Sequence, residues 1–354
     1  MSAQGRNYQV ATEEKAETGT EAINLGVIGY GYWGPNIVRN FATADNVAIK
    51  LVCDHDLSAL RRVRKSHPHL EITGDYQNVV CCPDIDAVAI ITPVSSHYDL
   101  AKKALLNGKH IFVEKPFTAT SAQAEELIEL AEKKGLKIMV DHTFTFTSAV
   151  RKIKQLIDDG TLGELYYYDS IRVNLGLFQG DVNVIWDLAP HDFSIMDYLV
   201  SQKPHAISAC GKAHVNGLED TAYITLYFTS NMIAHFNVNW LSPVKVRKTL
   251  VGGEKKMLVW DDLEVDEKIK VYDRGIDITT NESKYNLLVS YRSGDMWAPK
   301  VDQVEALKTE TEYFIDCILN DKAPVNDGRA GLRIVKMLEA CDKSLENHGG
   351  MVRI

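Results

Sequence analysis

An unbroken apolar run at residues 23–28 leads straight into Gly29-Tyr30-Gly31-Tyr32-Trp33-Gly34, and helix-like spacing starts on the last glycine. A G-x-G-x-x-G turn between a strand and a helix leaves few folds open. Gly29 permits the tight turn, Gly31 lets the backbone approach a pyrophosphate, and Gly34 lets the helix pack close to the strand. The helix N-terminus adds free N–H groups and a partial positive charge for that anion. A second strand-like run, 47–53, ends beside Asp54, whose carboxylate can accept hydrogen bonds from both hydroxyls of an adenosine ribose. The same carboxylate repels a 2′-phosphate, and the next residue is His55 rather than an arginine. The plain alternative is a glycine-rich turn followed by a surface aspartate. With strand, helix and spacing all in place, the turn (Gly29, Gly31, Tyr32, Trp33, Gly34) with Asp54 and His55 predicts a dinucleotide site that prefers NAD to NADP.

Further apolar runs at 87–91, 110–113 and 137–140 alternate with helix-like segments at 34–41, 57–65, 96–107 and 121–134. Thr120 and Gln123 form a capping box ahead of the last of these, and Gly108 and Gly135 suit left-handed helix ends. Strands apolar on both faces, separated by helices, make a parallel sheet covered on both sides. Residues 23–146 are thus expected to form a doubly wound α/β (Rossmann) domain. From residue 147 the rhythm changes to strands with one apolar and one polar face. Ala222, Ile224, Leu226 and Phe228 oppose Thr221, Tyr223, Thr225 and Tyr227, and the pattern resumes at 234–240. Gly252-Gly253 marks a hairpin between 246–251 and 256–260. Helices are expected at 148–158, 187–199, 306–319 and 329–346, whereas 271–300 shows no firm pattern. Residues 147–354 are read as an α+β domain with an open, mainly antiparallel sheet.

The 354 residues suit two domains at about 150 residues each. A formal charge of −9 argues against a nucleic-acid binder, and no apolar run approaches the roughly 20 residues of a membrane span. Residues 1–22 are polar, lack the apolar core of a signal peptide and read as a flexible extension. Six scattered cysteines without such a signal point to reduced thiols and the cytoplasm. No Cys/His cluster suggests a metal.

His110-Ile111-Phe112-Val113-Glu114-Lys115-Pro116 puts a carboxylate and an amine at the carboxyl end of a buried strand, the edge where open α/β sheets bind ligands. Hydride loss from an alcohol needs a base for the hydroxyl proton, and a partly desolvated lysine beside a cationic ring suits that task. A lysine reaching solvent from a strand end is an equal alternative on spacing alone.

Gly29–Gly34, Thr92-Pro93 with His97, Glu114-Lys115-Pro116, and Asp187 four residues before His191 occur in register. Together, from residue 23 onward, they resemble the glucose–fructose oxidoreductase/inositol dehydrogenase/rhizopine-catabolism (Gfo/Idh/MocA) family. The resemblance implies that Lys115 is catalytic, that Glu114 lies near the nicotinamide ribose, that Thr92, Pro93 and His97 line the cofactor cleft, and that the Lys115–Pro116 bond is cis. It also implies that Asp187 and His191 complete a lysine–aspartate–histidine constellation. An i, i+4 pair at a helix start shares one face, so Asp187 can orient or charge His191. A helix cap and a satisfied buried histidine are the alternatives for these two.

Residues 141–146, 172–178 and 181–192 resemble the subgroup of UDP-N-acetylglucosamine 3-dehydrogenases, which oxidise a sugar C3 hydroxyl to a ketone. In that reading Arg172 pairs with a diphosphate or carboxylate and Asn174 bonds to sugar hydroxyls. A structural ion pair stays open for Arg172. An inositol or free-sugar dehydrogenase is the alternative within enzymes, and a non-catalytic NAD-binding regulator is the alternative outside them. Family analogy further implies a homodimer or homotetramer joined through the C-terminal sheet, although a solvated polar face fits the composition equally well.

Overall fold

In a computed structural model the described residues are 22–354 apart from 177, 179, 181 and 278–289, so the proposed extension lies outside them except for Ala22. The first sheet contains β1 (Ile23–Ile28), β2 (Val47–Cys53), β3 (Glu71–Thr73), β4 (Ala87–Ile90), β5 (His110–Glu114) and β6 (Ile138–Asp141). Its order is β3-β2-β1-β4-β5-β6, and every neighbouring pair is parallel. The helices are α1 (Gly34–Thr43), α2 (Leu57–Ser66), α3 (Gln77–Val80), α4 (Val94–Leu106) and α5 (Ser121–Lys134). β4 is buried along its whole length, which explains its unbroken apolar sequence. The Thr120 hydroxyl accepts from the Gln123 N–H, and Gly135 closes α5 at φ +67°, as the sequence anticipates. The strand order reverses between β1 and β4, so the segments after β1, β4 and β5 converge on one edge.

The second half comprises α6 (Ser148–Asp158), β7 (Leu165–Leu175), α7 (Val184–Leu199), β8 (Ala206–Lys212), β9 (Thr221–Tyr227), β10 (Ile233–Asn239), β11 (Leu241–Gly253), β12 (Met257–Asp261), β13 (Ile269–Asp277), β14 (Ser290–Trp297), α8 (Ala306–Leu319), α9 (Gly328–Glu346) and β15 (Val352–Arg353). Among the described residues nine strands form an open sheet in the order β14-β13-β12-β11-β7-β10-β9-β8-β15. All its pairs are antiparallel except β7 with β10. Its apolar face packs on α6, α7 and α9 through residues such as Ile153, Phe193, Phe236 and Leu338.

Two readings need correction, and one expected helix packs in a place the sequence did not indicate. The patternless stretch 271–300 contains an antiparallel pair, β13 and β14. Charged residues, two glycines and a register shift between Tyr272 and Arg274 hide its alternation, and pairing with β12 supplies what local propensity lacks. Helix α7 starts at Val184, capped by the Asn183 side chain, rather than at Asp187. Pro190 therefore sits in the second turn, where its missing N–H leaves the Trp186 carbonyl without its helical donor. Finally, α8 packs back on the first domain, where Leu307, Phe314 and Ile315 join its core and Phe314 meets the edges of Phe41 and Phe112.

Candidate active site

The glycine turn has the shape a pyrophosphate needs. Gly29 adopts φ +103°, and a Cβ there would lie 2.1 Å from the Ile91 carbonyl oxygen. A Cβ on Gly34 would come within 2.7 Å of the Gly29 oxygen, whereas one on Gly31 would meet nothing within 4 Å. Gly31 thus faces open space at the start of α1. Gly29, Gly31, Asp54, His55, Thr92 and Pro93 all line one cleft of about 750 Å³. Tyr32 and Trp33 stand exposed on the turn, and Gly34 is buried beneath it.

Asp54 does more than wait for a ribose. Its carboxylate accepts from the Tyr30 N–H at 2.6 Å and the Asp56 N–H at 2.8 Å, which braces the turn against the end of β2. Four lone-pair sites on a carboxylate leave room for ribose hydroxyls as well. His55 projects into solvent. Two cations on the wall are already engaged: Arg62 donates to the Tyr30 carbonyl at 3.0 Å and Lys103 to the Tyr76 hydroxyl.

His97 is not on the cleft wall. It is fully buried, with Nδ1 2.9 Å from the Pro116 oxygen and Nε2 2.7 Å from the Thr92 oxygen, so it ties the segment after β4 to the one after β5. The sequence pattern cannot separate a residue that lines a cleft from one that supports it. The Lys115–Pro116 bond is cis. Burial and the neighbouring Asp141 push the Glu114 carboxyl up to about 8, and its Oε2 has no partner. A ribose hydroxyl of a bound dinucleotide would satisfy that orphaned oxygen.

Lys115, Asp187 and His191 converge. The Lys115 ammonium donates to the Asp187 main-chain oxygen at 2.9 Å and lies 3.5 Å from its Oδ1, while the Trp240 indole N–H donates to Oδ2 at 3.1 Å. His191 is half-buried, with its Nδ1 buried and unpartnered, and its ring meets Phe144 at 5.1 Å between centroids. Burial, then the charges of Lys115, Arg172 and Arg247, hold it well below the ordinary imidazole range, so it is neutral. Among the described residues Asp187 makes no hydrogen bond or ion pair with His191; it positions the lysine instead.

Arg172 forms a buried two-pronged ion pair with Asp192, Nε to Oδ2 at 2.6 Å and Nη2 to Oδ1 at 3.1 Å, and Ser170 donates to the same carboxylate. This is the structural alternative to a substrate contact. Asn174, two strand positions beyond the buried Arg172, is half-buried near the open end of β7. Trp240, Phe144, Asp192 and Arg247 were not anticipated. Arg247 and Arg172 each share strand parity with buried residues of their strands, a signal available in the alternation.

Residues 23–142 match the family model described as the oxidoreductase family, NAD-binding Rossmann fold, and residues 150–259 match the GFO/IDH/MocA C-terminal domain. The chain belongs to the Gfo/Idh/MocA oxidoreductases. Among its relatives, an uncharacterized oxidoreductase of Bacillus subtilis, YrbE, is 30% identical over 61% of this chain and 66% of its own. The NAD⁺-dependent scyllo-inositol 2-dehydrogenase of the same organism is 26% identical over 86% of each chain. The UDP-N-acetylglucosamine 3-dehydrogenase of Acidithiobacillus ferrooxidans is 26% identical over 88% of this chain and 94% of its own. A solved structure of the latter enzyme superposes with a TM-score of 0.76 at 22% identity, covering 93% and 99% of the two chains, which shows the shared fold. As a Gfo/Idh/MocA member the protein is an NAD-dependent oxidoreductase, and the cleft beside Gly29–Gly34 and Asp54 is the candidate site for that cofactor.

Proposed function

We propose that this protein oxidises a secondary alcohol of a sugar to a ketone, at C3 of a UDP-linked N-acetylated sugar. The observation that carries the reaction type is the meeting of the Lys115 ammonium, held by the main-chain oxygen and Oδ1 of Asp187, with a neutral, half-buried His191 at the carboxyl edge of the cofactor sheet. Bound NAD⁺ supplies the hydride acceptor. Gly31 and the first turn of α1 would hold its pyrophosphate, Asp54 its adenosine ribose and Glu114 its nicotinamide ribose. His191 accepts the hydroxyl proton, because an imidazole without charge is a base. Lys115 presents its remaining N–H to the same oxygen and balances the negative charge that develops there. Asp187 keeps the lysine aimed, and the Trp240 bond fixes that carboxylate.

The sugar reading rests on the resemblance at 141–146 and 172–192 and on the relative with that activity. The inositol dehydrogenase relatives support the second reading, a free polyol substrate. Purified protein with NAD⁺ and UDP-N-acetylglucosamine or its uronic acid, with inositols alongside, is assayed by mass spectrometry. A nucleotide sugar two mass units lighter, appearing with NADH, is expected. Turnover of an inositol alone replaces this reading with the second. Six cysteines without disulfides fit a reducing compartment, the cytoplasm.

A further inference from the structure

Arg172 and Arg247 stand directly opposite one another in the antiparallel register of β7 and β11, so their side chains share one face. Like charges placed this way repel, and each needs a counter-charge. Arg172 has its own in Asp192, on two hydrogen bonds, and is almost wholly buried. Arg247 is differently placed. Its side chain is one-third exposed, and among the described residues its ion-pair contact is Nη1 to Asp262 at 3.4 Å. Lys268 also draws on Asp262, donating to its main-chain oxygen at 2.6 Å with Nζ 3.9 Å from Oδ1. Around this point three cations, Arg172, Arg247 and Lys268, face two carboxylates, Asp192 and Asp262.

The surplus charge lies at the reacting centre. Both guanidiniums sit over the Phe144 ring, Arg172 at 4.5 Å and Arg247 at 5.5 Å from its centroid, and the same ring touches His191. A neutral polyol would leave a half-buried arginine with one long, shared contact. A carboxylate or phosphate would meet the Nε and Nη2 edge that Asp262 does not use, in the planar two-pronged geometry that guanidinium favours.

We infer that Arg247 recognises an anionic group on the substrate, carried by the sugar whose hydroxyl meets Lys115 and His191; this rests on the sugar-oxidation reading above. The group is a carboxylate on the ring or the first phosphate of a glycosidic diphosphate. Arg172, by contrast, sets the position of Arg247 and Phe144 from beneath and does not touch the substrate.

The test uses NADH-loaded enzyme, wild type with Arg247→Gln and Arg247→Lys, and calorimetric titration with UDP, glucuronate and myo-inositol. Wild type is expected to bind at least one anion more tightly than inositol, and Arg247→Gln to weaken that anion at least tenfold while inositol and NADH affinities change less than twofold. Arg247→Lys, which keeps the charge and loses the fork, falls between. Loss confined to UDP identifies the diphosphate as the source, and loss confined to glucuronate identifies the carboxylate. The inference is overturned if wild type prefers neither anion, if Arg247→Gln binds both as wild type does, or if inositol weakens in parallel. Should Arg247→Gln fail to fold, raised salt must weaken the wild-type anion and spare inositol; equal sensitivity overturns it. Absence of sugar oxidation by a wild type that binds the anion through Arg247 would reject the proposed reaction and leave this site standing.

Discussion

Lys115 is the residue on which most of the chemistry turns, and it is also the simplest to remove. Lys115→Met keeps the length of the stem and loses the charge, so NAD affinity should persist while kcat drops about 10²–10³-fold, the usual cost of removing one donor aimed at the developing charge. Near-wild-type turnover would take the lysine out of the mechanism. His191 gives a pH signature. Its imidazole is held well below the ordinary value of about 6.5, by burial first and nearby cations second, so its basic form persists into acid. The acidic limb of kcat/KM should accordingly lie below pH 6.5, and a limb at 7 or above assigns the base elsewhere. Asp54 carries two structural hydrogen bonds besides its expected ribose contacts. Asp54→Asn retains an acceptor for the turn, and isothermal titration should show NAD weakened far more than NADP. Equal losses would mean that Asp54 supports the turn without reading the ribose.

At the scale of elements, β7 and α7 are locked together by Arg172 and Asp192. Both side chains are buried, so removing one leaves an unpaired charge in a poorly solvated place. Asp192→Ala should cost about 3–5 kcal/mol of stability by denaturant titration, the usual result of breaking a buried pair. A loss below 1 kcal/mol would mean that water reaches the guanidinium. The elements also show what local sequence can and cannot report. The capping of α5 by Thr120 and Gly135 is legible because it involves residues a few positions apart. The start of α7 is not: Asn183 looks like any polar residue before a helix, and the helix begins at Val184, three residues before the expected start at Asp187.

For the whole molecule, a buried acidic cluster joins the domains. Glu114 and Asp141 are register partners on β5 and β6, and Glu310 reaches them from α8. Burial raises all three carboxyls, and their mutual repulsion adds to the effect for Glu114 and Glu310. Raised folded-state values mean that the cluster stabilises the fold fully below the unfolded carboxylate range and loses that contribution as pH climbs through the folded values, about 8 for Glu114. Thermal melts of cofactor-free protein should therefore fall between pH 6 and 9, and Glu310→Gln should flatten the slope; parallel melts of the two proteins would show that the cluster is not linked to folding. The open face of the large sheet, with Tyr223 stacked on His235, is the surface proposed for a second subunit. Light scattering of wild type should give a dimer or tetramer and that of Tyr223→Asp a smaller species, and a wild-type monomer would end that proposal.

What the sequence determined by itself was whatever adjacent residues decide: the phosphate-cradling turn, the strand–helix alternation, the lysine at a strand end, and a histidine one helical turn after an aspartate. Each follows from backbone geometry over a handful of positions. The tertiary structure alone decided which charges are spent and which are available. Arg172 and Arg247 are 75 positions apart and chemically identical in the sequence. Strand register sets them face to face, α7 brings a carboxylate to one and withholds it from the other, and only the second keeps a charge directed at the reacting centre. The strength of a charge depends on its neighbours and its solvent, and chain folding brings both from far along the sequence.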